Sequence, residues 1–247
     1  MDYKISHVVQ TGRHHIASGV PCQDQVRICR EEGIVCAALA DGAGSRESSH
    51  IGAACVTQTV SALACREFDQ WWQMEERELA AYLVRRCLAE LERQTPPIYE
   101  LASTLLFFAA DGEGRFLSGH LGDGVQVRVT GAGSEVFSPP ENGEFENETY
   151  FLTEADAVEH LRLRRGKLTE SGTLLLMSDG MAESLYQHST GTPAKACGTI
   201  AAWLQEGEEE VISQALRENT ERFFSARSMD DLSLVVIGWS TGEEKQP

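Results

Sequence analysis

Residues 174–185 read LLLMSDGMAESL, and they join a buried strand to an acidic end. Five apolar or small residues run up to Ser178, which is typical of a strand that is buried on both faces. The strand then ends at Asp179, and Gly180 follows directly. An Asp-Gly pair is common in turns, so this pair alone does not identify a site. Its interpretation depends on whether other strands end in the same way.

The composition of the chain excludes several classes of partner. The 247 residues carry a net charge of −17, from 38 acidic and 21 basic side chains. Such a surface repels phosphate backbones, so we expect no nucleic acid partner, but it attracts divalent cations and basic protein segments. No export signal or membrane-spanning run is visible, so we expect a cytoplasmic monomer without a membrane partner. The seven cysteines are an odd number without CxxC spacing, which fits a reduced compartment.

The order of the predicted elements indicates an α+β fold. Strands are predicted at 3–10, 25–30, 33–41, 172–178 and 231–238, and two or three more strands over 103–129, including 103–110 and 115–121. Helices are predicted at 45–65, 75–94, 181–187, 194–206 and 208–224. Strands and helices come in groups and do not alternate, so antiparallel sheets with helices outside them fit better than a parallel, doubly wound sheet. We expect a single domain over residues 1–240 and a disordered tail over 241–247.

Three local patterns carry narrower predictions. Residues 131–150 are rich in Gly, Pro, Asn and Glu, which predicts a loop or flap. The Asp111-Gly112 pair lies between two apolar runs, which is the ordinary signal of a hairpin. The helical period of the segment 208–224 predicts that its apolar side chains lie on one side, namely Ile212, Leu216 and Phe223.

Four carboxylates occupy similar positions relative to the predicted strands. Asp41 and Asp179 end buried strands, each with a glycine behind it. Asp24 lies next to a strand, and Asp230 begins the last one. Carboxylates that converge at strand ends repel one another unless a cation lies among them, and oxygen ligands without a Cys-His set favour Mg²⁺ or Mn²⁺ over zinc. A metal site and a set of ordinary turns both remain open on this spacing alone.

Several motifs follow one another in a fixed order: GVPCQD (19–24), ALADGAGS (38–45), SHIGA (49–53), STL (103–105), GHLGDG (119–124), LLLMSDGMAE (174–183) and SMDDLSLVVI (228–237). This order resembles the protein phosphatase 2C family, the metal-dependent Ser/Thr phosphatases, and most of all its bacterial branch. The resemblance runs from about residue 6 to residue 239. It implies a four-layer α-β-β-α sandwich of two antiparallel sheets flanked by helices, with a two-metal centre at one end.

The resemblance also implies a role for each matching residue. Asp41 would bridge both metals, and the carbonyl of Gly42 would bind one of them. Asp179 and Asp230 would hold the other metal. Asp24 would be a ligand or an acceptor for metal-bound water. The implied cofactors are therefore two Mn²⁺ or Mg²⁺ ions.

The same resemblance implies the chemistry. Asp41, Asp24 and Asp179 would be the catalytic residues, because water held between two cations can attack phosphorus in line without a covalent intermediate. Asp123 matches the position that helps to bind a third, weaker metal in some members. The implied activity is the hydrolysis of phosphoserine and phosphothreonine on proteins, with a cognate Ser/Thr kinase as an implied signalling partner.

The sequence departs from the family pattern at several site positions. Gln23 stands where an acidic residue is usual, and Asp231 stands where asparagine is usual. Gly19 aligns with an arginine that contacts the substrate phosphate in many members. The nearest candidates to bind the phosphate instead are Arg13, Arg46 and His15.

These departures keep two alternatives open. The chain could be a catalytically weak or inactive phosphatase-like module that binds a phosphorylated partner. It could also be a two-metal phosphohydrolase of small phosphoesters, which would share the same chemistry. Catalysis is favoured because all four core positions keep their carboxylates.

Overall fold

The computed structural model describes residues 1–142 and 149–241. Its strands are β1 (Asp2–Gln10), β2 (Gln25–Glu31), β3 (Ile34–Ala40), β4 (Leu105–Asp111), β5 (Arg115–Leu121), β6 (Val125–Thr130), β7 (Gly133–Ser138), β8 (Arg162–Lys167), β9 (Gly172–Met177), β10 (Tyr186–Gln187), β11 (Thr192–Pro193) and β12 (Leu232–Ser240). Its α-helices are α1 (Arg13–Ser18), α2 (Ser49–Gln73), α3 (Glu76–Leu91), α4 (Ala157–His160), α5 (Asp179–Leu185), α6 (Lys195–Glu206) and α7 (Glu209–Asn219). Most of the predicted tail, 242–247, and part of the predicted flap, 143–148, lie outside the described residues.

Two five-stranded antiparallel sheets form the centre of the molecule. The first sheet has the strand order β1-β12-β9-β6-β7, and the second has the order β2-β3-β4-β5-β8. The predicted turn at Asp111 joins β4 to β5 as a hairpin, with the Gly114 amide donating to the Asp111 carbonyl at 3.1 Å. No helix in the described residues is long and apolar enough to cross a bilayer.

Strand β3 shows why the chain forms four layers. Its residues Ala37 and Leu39 pack in an apolar layer with Leu176 and Ile237 of the other sheet. Its alternate residue Cys36 packs instead in a second apolar cluster with the side chains of α2 and α3. Because successive side chains of a strand point to opposite sides, a strand buried on both faces needs a partner layer on each. The first sheet is covered in the same way by α5, α6 and α7, which confirms the predicted α-β-β-α sandwich.

Strands β7 and β8 were not predicted from the sequence. Residues 133–138 lie inside the stretch interpreted as a loop, and that interpretation is wrong for β7. Both strands are at the edge of a sheet, where only one neighbour pairs with the strand. The sequence RLRRGK of β8 has a single buried side chain, Leu163, so its alternating hydrophobic pattern is too weak to detect.

The prediction for Phe223 is also wrong. Ile212 and Leu216 are buried on one side of α7, as expected, but Phe223 is 52% exposed. A π-helical turn over Thr220–Phe224 follows α7, and the Ser225 amide donates to the Thr220 carbonyl at 2.9 Å. A π-helical turn contains one residue more than an α-helical turn, so the side chains after it are shifted by one position around the helix. Phe224 therefore packs against the core in place of Phe223.

A candidate metal centre

Five of the six predicted ligands, four carboxylates and Gly42, line one pocket at the end of the sandwich. The pocket has a volume of about 340 Å³, and its carboxylates are Asp41, Asp123, Asp179 and Asp230. Gly42, Ala43 and Gly44 form another part of its wall, together with Thr104, Thr149 and Phe151. The ends of β3 and β9 therefore meet at this pocket, as the sequence predicted. The assignment of each residue to one of the metals stays a prediction.

Both sheets contribute carboxylates to this pocket. Asp41 follows β3 in the second sheet. Asp179 follows β9 in the first sheet and begins α5, and Asp230 precedes β12 in the same sheet. Asp123 lies in the turn between β5 and β6, which takes the chain from the second sheet to the first. The pocket thus lies where the two sheets come together.

The backbone around Gly42 is fixed by neighbouring residues. The Asp41 amide donates to Thr104 Oγ1 at 2.9 Å, and the Thr104 amide donates to the Asp41 carbonyl at 2.8 Å. The Ala43 amide donates to the Ala102 carbonyl at 3.0 Å. In the part of the chain that the structure describes, no donor reaches the Gly42 carbonyl, so this oxygen is available as a ligand. A Cβ at Gly42 would lie 2.7 Å from Ser49 Oγ, so only glycine fits there.

Asp24 lies beneath the pocket and is completely buried. Neither of its carboxylate oxygens has a hydrogen-bond partner of good geometry among the described residues. Burial raises the pKa of Asp24 to about 8, with further increases from Asp179 and Asp231, although the Ser233 and Ser178 hydroxyls lie near enough to lower it. A buried carboxylate without partners is costly, so this position is suited to a bound cation or its water.

In Asp41, Asp179 and Asp123, which line the pocket, burial and neighbouring carboxylates also disfavour the ionised form. Burial raises the pKa of Asp41 well above its ordinary value, and the charges of Asp24 and Asp179 raise it further. Burial, and then Asp123, raise the pKa of Asp179 to about 7. Burial also raises the pKa of Asp123, although the Thr149 hydroxyl donates a hydrogen bond to it. A divalent cation would remove this mutual repulsion, and an all-oxygen set fits Mg²⁺ or Mn²⁺.

The three candidate phosphate ligands are placed differently. The Arg13 guanidinium donates to the carbonyls of Ala226 at 3.2 Å and Ser228 at 3.3 Å. His15 is buried, and its Nδ1 lies 2.9 Å from the Asp231 carboxylate. Arg46 is exposed beside the glycine-rich wall of the pocket, and its guanidinium lies over the Tyr99 ring, 6.0 Å from the centroid. Of the two arginines, Arg46 is the one whose guanidinium has no carbonyl or carboxylate partner among the described residues.

Two hydroxyl residues of the pocket were not identified from the sequence. Thr104 lies inside the STL motif, and its position just before a buried strand could have marked it as a residue that holds Asp41. Thr149 comes from the stretch that was predicted to be a loop, where no periodicity points to a site.

Comparisons with known proteins identify the family of this chain. A family model described as "Protein phosphatase 2C" matches residues 11–220. "Serine/threonine-protein phosphatase 3" of Escherichia coli (strain K12) is 28% identical, over 97% of this chain and 100% of its own length. The solved serine/threonine phosphatase of S. agalactiae has a TM-score of 0.63 at 18% identity, over 97% of this chain and 100% of that one. RsbX in complex with magnesium has a TM-score of 0.59 at 14% identity, over 96% of both chains. At these identities, the two solved structures establish similarity of fold alone.

Proposed function

Because this chain belongs to the protein phosphatase 2C family and is a protein serine/threonine phosphatase, we propose that it uses two divalent cations to hydrolyse phosphoserine and phosphothreonine on proteins. The observation that carries this proposal is the convergence of carboxylates from both sheets on one pocket, above a fully buried Asp24. When bound, two Mn²⁺ or Mg²⁺ ions would activate a water molecule for in-line attack and neutralise the phosphoryl oxygens.

Each residue of the pocket has a proposed part in holding the cations. Asp41 would be shared by both, and the carbonyl of Gly42, which accepts no hydrogen bond from the described residues, would contact one of them. Asp179 and Asp230, from the ends of two neighbouring strands, would hold the other. Asp123 would belong to a third, weaker position at the turn between the sheets.

Asp24 would act on the water from below. A nearby positive charge favours the ionised form of a carboxylate, so cation binding should reverse the high pKa that burial imposes on Asp24. Its unpartnered oxygens could then accept a hydrogen bond from the attacking water and orient it. This is the acceptor role that the family resemblance implies, and it needs no donor other than the water.

Substrate recognition would rest on Arg46 and on the surface charge. Arg46 would contact the phosphoryl group in place of the arginine that is absent at Gly19. The net charge of −17 favours phosphorylated segments that are otherwise basic. A cytoplasmic signalling role opposite a Ser/Thr kinase is the biological setting that we propose.

Hydrolysis assays test this function directly. The metal-free protein should not release phosphate from p-nitrophenyl phosphate, and addition of Mn²⁺ or Mg²⁺ should start the reaction. Phosphoserine and phosphothreonine peptides should then be better substrates than small phosphoesters, which would exclude the small-molecule phosphohydrolase. Asp41→Asn should be inactive under all these conditions. If the wild type binds metal and a phosphopeptide but never releases phosphate, the protein is a binding module and not an enzyme.

A further inference from the structure

The Asp231 carboxylate is a buried hydrogen-bond acceptor next to the candidate metal centre. Its residue is 2% exposed. The Gly12 amide donates to Oδ1 at 2.6 Å, and the Gln23 amide donates to Oδ2 at 2.6 Å. His15 Nδ1 lies 2.9 Å from Oδ2, so the N–H of this ring nitrogen completes the set as a third donor. Both carboxylate oxygens are therefore used within the protein.

The three donors come from segments that are distant in sequence from Asp231. Gly12 and His15 lie in the segment between β1 and β2, at and just before α1, and Gln23 comes directly before Asp24. Asp231 itself comes directly after Asp230. The Asp231 side chain thus connects the backbone next to Asp24, which is buried under the pocket, with the backbone next to Asp230, which lies at the rim of the pocket.

Direct backbone contact makes this connection tight. A Cβ on Gly12 would lie 2.2 Å from the carbonyl carbon of Asp230, so the two segments approach as closely as glycine permits. The His14 amide also donates to the Met229 carbonyl at 3.0 Å. A shift of α1 would therefore displace the segment that carries Asp230.

The chemistry of this site favours aspartate over asparagine. A carboxylate offers acceptors on both oxygens, whereas an asparagine side chain has one acceptor oxygen and one donor nitrogen. With an amide at position 231, its nitrogen would point at the amide of either Gly12 or Gln23, and two donors would oppose each other. His15 adds a side-chain donor to the two backbone donors of Asp231, so the histidine and the aspartate are matched.

We infer that His15 and Asp231 are a pair of positioning residues that fix Asp24 relative to Asp230 and so set the affinity of the metal centre. This inference rests on the proposed function. The ligand atoms of His15, Asp230 and Asp231 lie within 4.8 Å of one another, which could suggest a separate metal site. However, three donors already occupy the Asp231 oxygens, so the pair organises the neighbouring ligands and does not bind a cation itself.

Calorimetric titration of the chelator-treated protein with Mn²⁺ tests the pair. Loss of residues that orient metal ligands typically weakens metal binding about 10- to 100-fold, and we expect this for Asp231→Asn and for His15→Ala. His15→Asn should bind Mn²⁺ nearly as the wild type does, because its amide nitrogen can take the place of Nδ1 as the donor. His14→Ala is the matched control, since His14 is exposed and holds Met229 only through its backbone, and it should not change the affinity.

Thermal unfolding in chelator shows whether each variant is folded before titration. If His15→Ala does not fold, the volume-conserving Asp231→Asn decides the question. Wild-type affinity in folded Asp231→Asn and His15→Ala would overturn the inference while leaving the metal centre intact. Equal weakening in His15→Asn and His15→Ala would also overturn it, because the donor would then not matter. If the wild type itself binds no Mn²⁺, the proposed function fails and the inference fails with it.

Discussion

A Cβ on Gly180 would lie 2.1 Å from the carbonyl oxygen of Asp231. Gly180 follows Asp179, and Asp231 follows Asp230, so the two segments that carry proposed ligands of one cation touch through their backbones. No ordinary side chain fits into this contact. The distance between the two carboxylates is therefore set by an approach that only glycine allows.

Replacement of Gly180 by alanine should damage both stability and metal binding. The extra methyl group must push the two backbones apart, and overpacking of this kind costs about 1–3 kcal/mol. Gly112→Ala is a suitable control, because nothing lies within 4 Å of its Cβ position. Urea denaturation in chelator measures the loss of stability, and Mn²⁺ titration measures the loss of affinity. Wild-type values for Gly180→Ala in both experiments would contradict the observed contact.

Loss of the shared ligand should matter more than loss of the buried acceptor. Asp41→Asn should reduce Mn²⁺ binding and abolish hydrolysis, because a bridging carboxylate serves both ions. Asp24→Asn should retain more of the metal affinity and lose mainly the turnover rate, because Asp24 lies beneath the pocket and does not line it. Calorimetry and hydrolysis assays on the two variants give the comparison. Hydrolysis at the wild-type rate by Asp41→Asn would exclude the proposed mechanism.

The metal-free protein should become less stable as the pH rises from about 4 to about 8, because over this range the folded state still holds protons that the unfolded state has already lost. The folded-state pKa is about 8 for Asp24 and about 7 for Asp179, above the ordinary value of 3.8. The stabilisation from these protons is complete below the unfolded-state pKa and is lost as the pH rises through the folded-state values. Each group contributes up to about 1.4 kcal/mol per pH unit.

Melting temperatures in chelator across this pH range measure the effect. Asp24→Asn should flatten the decline, because the amide does not titrate. Saturating Mn²⁺ should remove it, because the cation stabilises the ionised carboxylates. A melting temperature that rises with pH in chelator would show that these carboxylates are not protonated in the folded, metal-free protein.

Arg46 should contribute to substrate binding and not to metal binding. A charge-assisted contact to phosphate is worth about 1.5–3 kcal/mol, so Arg46→Ala should raise KM for aryl phosphate by about one to two orders of magnitude. Arg13→Ala should raise KM less, because the Arg13 guanidinium is directed to the carbonyls of Ala226 and Ser228. Arg66→Ala, far along α2, controls for a general change in charge. An unchanged KM in Arg46→Ala, with normal metal binding, would show that Arg46 is not the side chain that binds the phosphate.

The sequence predicted the central strands because they are buried on both faces. Strand β9 is clear in LLLMSDG because its apolar residues are continuous, and the acid that follows it, Asp179, gained meaning from the similar positions of Asp41 and Asp230. Strand β8 was invisible because an edge strand with one buried side chain has little hydrophobic period. Phe223 was wrongly predicted to be buried because the sequence contains no pattern that predicts a π-helical turn.

The site was predictable only in part for a related reason. Strand ends identify which carboxylates can converge, but a hydrogen bond such as that between His15 and Asp231 depends on how distant segments pack. The sequence held one hint, which is the aspartate at a position where the family usually has asparagine. Its partner could be recognised only from the fold, because no local spacing connects residues 15 and 231.

The turn at Asp123, which passes from one sheet to the other, has a consequence for the order of folding. The carboxylates of the pocket come from near both ends of the chain and from both sheets, so they meet only after the sheets have docked. Contacts of such high sequence separation form late, because the loops between them must close first. Bringing these acids together is repulsive without a cation. During refolding, the chain should therefore collapse at the same rate with or without Mn²⁺. The metal should accelerate only the last kinetic phase.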